Sequence, residues 1–426
     1  MFRTAPGLPT EVPPNFKTSI HFPHYARVTP GFRAGSWYYN FFCFYSRLDI
    51  IKRYYFDWAA SAIPHKSTGE VPFANPSSIH REGKAARKAL EEARERCAKV
   101  LGVEAKTLFF TSGGTESNAI VLFSTLLRPG AGGICYSAVE HPAVRENCLV
   151  LERMGKQVWS IPADRDGRIG RESLEKAIEK HGFPRMAAIM AVNNETGAIM
   201  DLKGLGEMLR KSDGPRVHFH ADLVQAAGKI CLDLEGWDID SAAFSAHKLG
   251  GPRGIGLLYL KKPMGVLVLG GGQEGGIRPG TENTAGALDF AAALESHADA
   301  QAQKAAAAAA ETRFMKLISA LRSIERCTLI PEDRLPLDSR FSPWILQAAF
   351  RDIPGEVMAR ALDDLGFAVS TGSACSAASP ERPVLAAMGL DPRLRLEGIR
   401  ISQGWSTTDE DIEALVEAIH EVLEYL

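Results

Sequence analysis

From residue 54 onward, short apolar runs alternate with stretches in which apolar residues recur every three or four positions. The runs at 107–111, 133–136, 157–161, 186–192, 217–220 and 239–244 predict strands. Ala86, Leu90, Ala93, Cys97 and Val100 share one face at helical spacing, and 118–127, 171–180 and 203–211 predict further helices. Strand and helix in alternation predict an α/β fold, a mostly parallel sheet with helices on both faces. Ligands of such sheets bind beyond the carboxyl ends of the strands. His141, Asn193 to Glu195, Asp222 and Lys248 all follow predicted strand ends, so one crevice can collect them.

The pattern changes towards both ends. Residues 284–324, with a run of consecutive alanines, predict one long helix joining two domains, because mixed strands, loops and helices resume after it. Thr407 and Glu410 predict a capping box for a closing helix whose Ile412, Leu415, Ile419, Val422 and Leu426 face a core. Residues 1–47 contain one acid, Glu11, an aromatic cluster from Trp37 to Phe42, and no periodicity of either kind. They lack the apolar core and cleavage site of a secretory signal. A structureless extension, an organelle transit segment and a true start near Leu48 are three open readings.

Composition narrows the class. The 426 residues are 45% hydrophobic and 23% charged with a net charge of −2, which fits a soluble enzyme and gives no reason to expect nucleic acid or an anionic membrane as partner. No apolar stretch approaches the roughly 18 residues needed to span a bilayer. Seven cysteines are scattered without a Cys-x-x-Cys pair or a metal-like cluster, which predicts no metal and a reducing, cytoplasmic setting.

The candidate chemistry centres on Lys248. It follows the run 239–244 through Ser245-Ala246-His247 and precedes a Gly- and Pro-rich turn. A lysine at the end of a buried strand can lose solvent and become a neutral Schiff-base amine, although one such lysine alone reads more readily as surface. The turn 112–117, with Gly114 and Thr115, offers backbone N–H groups and a helix start to an anion. Asp222 can hold a proton on a pyridine nitrogen, or simply form a turn. Gln225 can bond a phenolic oxygen or lie on a helix surface. His141 can stack on a ring or be an ordinary loop histidine. Asn193 to Gly197 reads equally well as a turn. Cys375, in a run of small and polar residues, is expected to be an exposed, travelling nucleophile. Arg400, in a short strand, can grip a carboxylate or serve a structural ion pair.

Together these residues resemble the cysteine desulfurases, pyridoxal phosphate enzymes of the class V aminotransferase family, over about residues 54–423. The resemblance is carried by Thr111 to Ser117, Ser245 to Lys248, Gly280-Thr281-Glu282-Asn283 and Gly372-Ser373-Ala374-Cys375. The last of these is similar to the NifS/IscS-like branch. It implies fold-type I, with a large domain of residues 65–305 built on a mostly parallel, seven-stranded sheet. A smaller α+β domain would comprise 51–64 and 306–426, with 1–50 as an extension. It implies pyridoxal 5′-phosphate on Lys248, Asp222 at the ring nitrogen, Gln225 at the phenolic oxygen and His141 on the ring face. Gly114, Thr115, Ser245 and His247 would bind the phosphate, completed by Thr281 of the partner subunit in a homodimer. Asn194, also near the cofactor, and Arg400 would hold the carboxylate of L-cysteine, and Cys375 would take its sulfur for a protein acceptor, in iron–sulfur or other sulfur-cofactor assembly. Gly275, Pro380, Pro383 and Trp405 depart from the family pattern. A selenocysteine lyase or another class V aminotransferase is the rival enzyme. An inactive sulfur-relay scaffold is the non-enzyme rival, and it is disfavoured because Lys248 and Asp222 are both present.

Overall fold

Twelve strands and eleven helices make up the described part of the computed structural model, which covers residues 52–65, 71–127, 132–210, 216–372 and 381–426. The extension before residue 52 and the run containing Cys375 lie outside the described residues. The strands are β1 (Tyr54–Tyr55), β2 (Leu108–Thr111), β3 (Ile134–Ser137), β4 (Val158–Ile161), β5 (Met186–Ala188) and β6 (His218–Asp222). They continue with β7 (Ser241–Ser245), β8 (Gly256–Leu260), β9 (Cys327–Ile330), β10 (Ile345–Phe350), β11 (Phe367–Ala368) and β12 (Gly398–Ser402). The helices are α1 (Arg81–Leu101), α2 (Gly114–Phe123), α3 (Pro142–Arg153), α4 (Arg171–His181), α5 (Leu202–Arg210) and α6 (Thr284–Glu295). After them come α7 (Ala300–Ser323), α8 (Gly355–Asp364), α9 (Pro383–Ala387), α10 (Pro392–Glu397) and α11 (Asp409–Tyr425).

Seven strands form the main sheet in the order β2-β8-β7-β6-β5-β3-β4. All neighbours are parallel except β8, which runs antiparallel to β7 and β2. The short Gly-rich turn after Lys248 leaves no room for a crossover helix, so β8 returns directly beside β7. Successive side chains face opposite sides of the sheet. Phe109, Tyr136, Ala188 and Leu258 pack with Val121, Leu122, Val144 and Leu151 of α2 and α3. Phe110, Cys135, Ala187 and Leu257 pack on the other face with Leu90, Leu174, Leu205 and Phe290 of α1, α4, α5 and α6. The α/β fold with a mostly parallel sheet covered on both faces is the one the alternation predicts.

A second, antiparallel sheet, β12-β10-β9, has its own apolar cluster. Leu346, Phe350, Ile399 and Ile401 pack there with Leu317 and Leu321 of α7, with Ile412, Leu415 and Ile419 of α11, and with Phe56. Phe56 arrives because β1 pairs with β11, and Ser402 N donates to the Phe56 carbonyl at 2.8 Å. Among the described residues no helix is long and apolar enough to cross a membrane, and no group of His, Cys, Asp or Glu is arranged for a metal ion.

Several element boundaries differ from those the sequence predicts. The helix expected from 118 begins at Gly114, because the glycine turn is itself the first helical turn. The single helix expected over 284–324 is two. Asp299 accepts from Ala302 N at 2.6 Å and starts α7 as its N-cap, and a polar break separates it from α6. The capping box uses Thr408 and Asp411 instead of Thr407 and Glu410, whereas Thr407 Oγ1 accepts from Gly404 N. The strand expected over 186–192 ends at Ala188, and on α1 it is Leu101, not Val100, that is buried.

The Gly-rich segment after residue 270 is tied to the edge of the main sheet by one buried ion pair. Arg94 on α1 donates through both guanidinium arms to Glu274 at 2.7 and 2.9 Å, and also to the Leu108 carbonyl at 2.8 Å. Glu274 in turn accepts from Phe110 N at 2.7 Å, supplying edge strand β2 with a partner that no neighbouring strand offers. Removing one member of such a pair strands the other charge in the interior. Arg94→Met is expected to lower the free energy of urea unfolding by about 3–5 kcal/mol, and a loss below about 1 kcal/mol would contradict this anchoring role.

Candidate active site

The carboxyl ends of β5, β6 and β7 and the loop after β3 open onto a cavity of about 250 Å³. Gly114, Thr115, His141, Asn194, Asp222, Gln225, Ser245, His247, Lys248 and Arg400 all line it. Thr281 does not. It is exposed and borders a separate surface hollow with Phe73 and Asn75. Cys375 lies outside the described residues.

Close backbone contact builds the floor of the cavity. A Cβ on Gly256 of β8 would lie 2.5 Å from the Gly113 Cα, so only glycine lets the strand approach the turn that starts α2. The free N–H groups of that helix start then face the cavity beside Ser245, the last residue of β7. His247 follows, its Nδ1 at 3.2 Å from Ser61 Oγ, and burial with the Lys248 charge nearby pushes its pKa down to about 4. Lys248 closes a single helical turn. Its Nζ donates to the carbonyls of Ala59 and Ala60 at 2.7 and 2.8 Å.

Asp222 ends β6 and is held from two sides. Oδ2 accepts from Asn118 Nδ2 at 2.7 Å, and Oδ1 accepts from Val224 N at 3.0 Å. His141 caps α3: its Nδ1 accepts from Ala143 N at 3.1 Å, which places the proton of the neutral ring on Nε2. Burial lowers the His141 pKa and Lys248 adds to this, with Asp222 opposing. Gln225 donates from Nε2 to Ala59 O at 2.8 Å and accepts at Oε1 from Lys229 Nζ at 2.9 Å.

Arg400 enters from the other sheet. It is 1% exposed and donates to the Asn194 carbonyl at 2.9 Å and to Asp57 Oδ1 at 2.7 Å. Asn194 Oδ1 and Arg400 Nε are buried polar atoms with no hydrogen-bond partner among the described residues. Such atoms call for a polar ligand. Asn193 spends its side chain on the turn, accepting from Glu195 N and Thr196 N at 2.9 Å, so in this loop the turn and the site coexist.

Residues 62–415 match the family described as aminotransferase class-V. The cysteine desulfurase IscS of Dictyoglomus turgidum is 35% identical over 386 residues, 87% of this chain and 95% of that protein. A cysteine desulfurase of Cereibacter sphaeroides is 36% identical over 83% of this chain and 89% of its own. Among solved structures, a NifS-like protein superposes with a TM-score of 0.79 at 34% identity, covering 88% of this chain and all of the other. The chain belongs to the cysteine desulfurases of the class V aminotransferase family.

For a cysteine desulfurase, three neighbours of the expected site residues stand out because sequence reasoning passed over them. Asn118 follows the Thr111–Ser117 motif by one residue and reaches Asp222. Ala59 supplies the carbonyl shared by Gln225 and Lys248. Lys229 lies four residues after Gln225 in the otherwise apolar Ala226-Ala227-Gly228 context, a spacing that places both side chains together.

Lys229 is 4% exposed, and burial, reinforced by the charges of Lys248 and Arg400, pushes its pKa from 10.5 down to about 7. Between those values the unfolded chain holds a proton that the folded chain does not, so stability rises with pH. The cost of burying this amine is fully present below about pH 7 and is relieved as pH approaches 10.5. Lys229→Met is therefore expected to gain less stability than the parent protein as pH is raised from 7 towards 10.5, measured by denaturant unfolding. Parallel pH profiles would contradict the buried, depressed amine.

Proposed function

We propose that the chain is a pyridoxal 5′-phosphate-dependent cysteine desulfurase, taking sulfur from L-cysteine onto Cys375 and leaving L-alanine. The observation that carries this reading is the convergence of Lys248, Asp222, Gln225 and His141 on one cavity beside an exposed helix start. The donor set suits the cofactor. N–H groups of α2 with Thr115, Ser245 and His247 suit a phosphate, and Asp222 suits a ring nitrogen. Gln225 Nε2 suits a phenolic oxygen, and His141 suits the ring face. The partner subunit's Thr281 completes the phosphate site in a homodimer.

When bound, the cofactor supplies an aldehyde for amines and an electron sink for charge released at the substrate Cα. The remaining work belongs to the chain. Arg400 and the free valence of Asn194 hold the substrate carboxylate, fixing the Cα–H bond relative to Lys248. Lys248, released from the carbonyls of Ala59 and Ala60, takes that proton. The neutral His141, with its hydrogen on Nε2, is placed to pass protons at the thiol. The Cys375 thiolate attacks the substrate sulfur. The S–S bond forms as the C–S bond breaks, the electron pair of that bond stays on carbon and takes up a proton, and Lys248 returns a proton to Cα, which completes alanine. The persulfide then passes to a protein acceptor for sulfur-cofactor assembly, iron–sulfur clusters included, in the cytoplasm.

L-cysteine as substrate is supported by SspA, solved in complex with cysteine, which superposes with a TM-score of 0.67 at 30% identity, covering 82% of this chain and 98% of that one. Division into a domain of residues 65–305 and a second of 51–64 with 306–426 is supported by the separate apolar cluster around Phe56, Phe350 and Ile412.

The reading is tested by separating activation from sulfur capture. Lys248→Ala is expected to lose the visible absorbance of the bound cofactor and all turnover. Cys375→Ser is expected to keep that absorbance and its change on adding L-cysteine, while sulfide release falls by about two orders of magnitude or more. Sulfide release by Cys375→Ser at the parent rate would assign the site to a lyase or transaminase in which this thiol plays no part.

A further inference from the structure

Strand β6 places His218, His220 and Asp222 at every second position, so the three side chains leave the same face of the sheet. Phe219 and Ala221 point the other way, into the apolar core. Ser241 on β7 stands opposite His220 in register. Asn118 on α2 covers the same face.

These residues form one continuous chain of hydrogen bonds. Asp222 Oδ2 to Asn118 Nδ2 is 2.7 Å, Asn118 Oδ1 to His220 Nε2 is 2.8 Å, and His220 Nδ1 to Ser241 Oγ is 2.8 Å. Ser241 Oγ to His218 Nε2 is again 2.8 Å. The direction of each link follows from what each group can do. A carboxylate only accepts, so Asn118 must present its NH₂ to Asp222, and its oxygen faces His220. That oxygen needs a hydrogen from His220 Nε2. The His220 ring is fully buried, and burial followed by the like charge of His218 pushes its pKa down to about 3, so it carries one proton only. Nδ1 is therefore an acceptor, and the Ser241 hydroxyl must donate to it. The Ser241 oxygen is left to accept from His218 Nε2.

We propose that Asn118, His220 and Ser241 are positioning residues, a one-way relay whose donors all point towards Asp222 and hold its carboxylate in a single orientation under the cofactor ring nitrogen. What Asp222 touches rests on the pyridoxal phosphate reading; the direction of the relay does not. Asn118, His220 and Ser241 are all fully buried, so water cannot substitute for a missing link. Asn118 also ties the carboxylate to α2, the helix whose first turn receives the phosphate. One helix thereby sets both ends of the cofactor.

The direct test is the tautomer of His220 in the full-length holoenzyme, read by nitrogen NMR of ¹⁵N-histidine-labelled protein and assigned with His220→Gln. The relay requires a neutral ring with its proton on Nε2 at neutral pH. A proton on Nδ1, or a doubly protonated ring, would overturn it whether or not the enzyme is active. Ser241→Ala, which frees Nδ1, is expected to mix the tautomers and lower kcat several-fold with the KM for L-cysteine little changed, and Ser241→Thr to restore both. Asn118→Leu removes a hydrogen bond to a charged group and is expected to cost about 10- to 100-fold in kcat. Parent-like kcat and tautomer in Ser241→Ala would overturn the relay even if Asn118→Leu fails to fold. An inactive parent protein with the required tautomer would instead refute the functional reading alone.

Discussion

Buried positive charge is the constraint on which this site depends. Lys248 and Arg400 line the cavity and Lys229 lies beside it, whereas Asp222 is the one carboxylate in the described lining. Their mutual repulsion adds to burial in lowering the pKa values of their neighbours. Lys229 is depressed first by burial and then by Lys248 and Arg400, and His247 first by burial and then by Lys248, Arg253 and Lys229. Like charges at low dielectric raise the energy of the site, and an anionic ligand lowers it. In the proposed reading those anions are a phosphate at the start of α2 and a carboxylate at Arg400.

The fold meets this constraint by lending carbonyl oxygens. Lys248 rests on Ala59 and Ala60, Gln225 on Ala59, and Arg400 on Asn194, so the segment after β1 is a wall of the site. That segment is fixed from the second sheet: Ser402 Oγ accepts from Ala59 N at 3.0 Å, and Arg400 on the same strand reaches Asp57. Main sheet and second sheet therefore meet at the substrate end of the cavity. The residues proposed to hold the cofactor come from the main sheet, and the arginine proposed for the substrate comes from β12. Backbone N–H groups and carbonyls set most of these distances, and the close approach of Gly256 to Gly113 is part of that backbone arrangement.

The strand ends were legible in the sequence because a buried parallel sheet is written as apolar runs followed by polar residues. His141, Asn194, Asp222 and Lys248 could be placed in one crevice from that pattern alone. Partnerships across the sheet were not legible. His220 and Ser241 lie 21 residues apart, and only the register of β6 on β7 joins them. Lys229 was not singled out in the sequence because its burial depends on neighbours distant in the chain, such as Trp344, whose Nε1 donates to the Lys229 carbonyl at 3.3 Å. Helix ends were missed for a local reason. A capping side chain competes only with its immediate neighbours, so Thr408 could displace Thr407, and Asp299 could split a run that composition alone reads as one helix.

The half-buried Lys248 shares the Ala59 carbonyl with Gln225, whose Oε1 accepts from the buried Lys229, and the cofactor is assigned to Lys248 alone. Borohydride reduction of the holoenzyme fixes the cofactor on the amine that carries it, and peptide mass mapping then locates the added mass. That mass is expected on Lys248 and not on Lys229. A pyridoxyl group on Lys229, or no fixed cofactor on either lysine, would contradict this assignment.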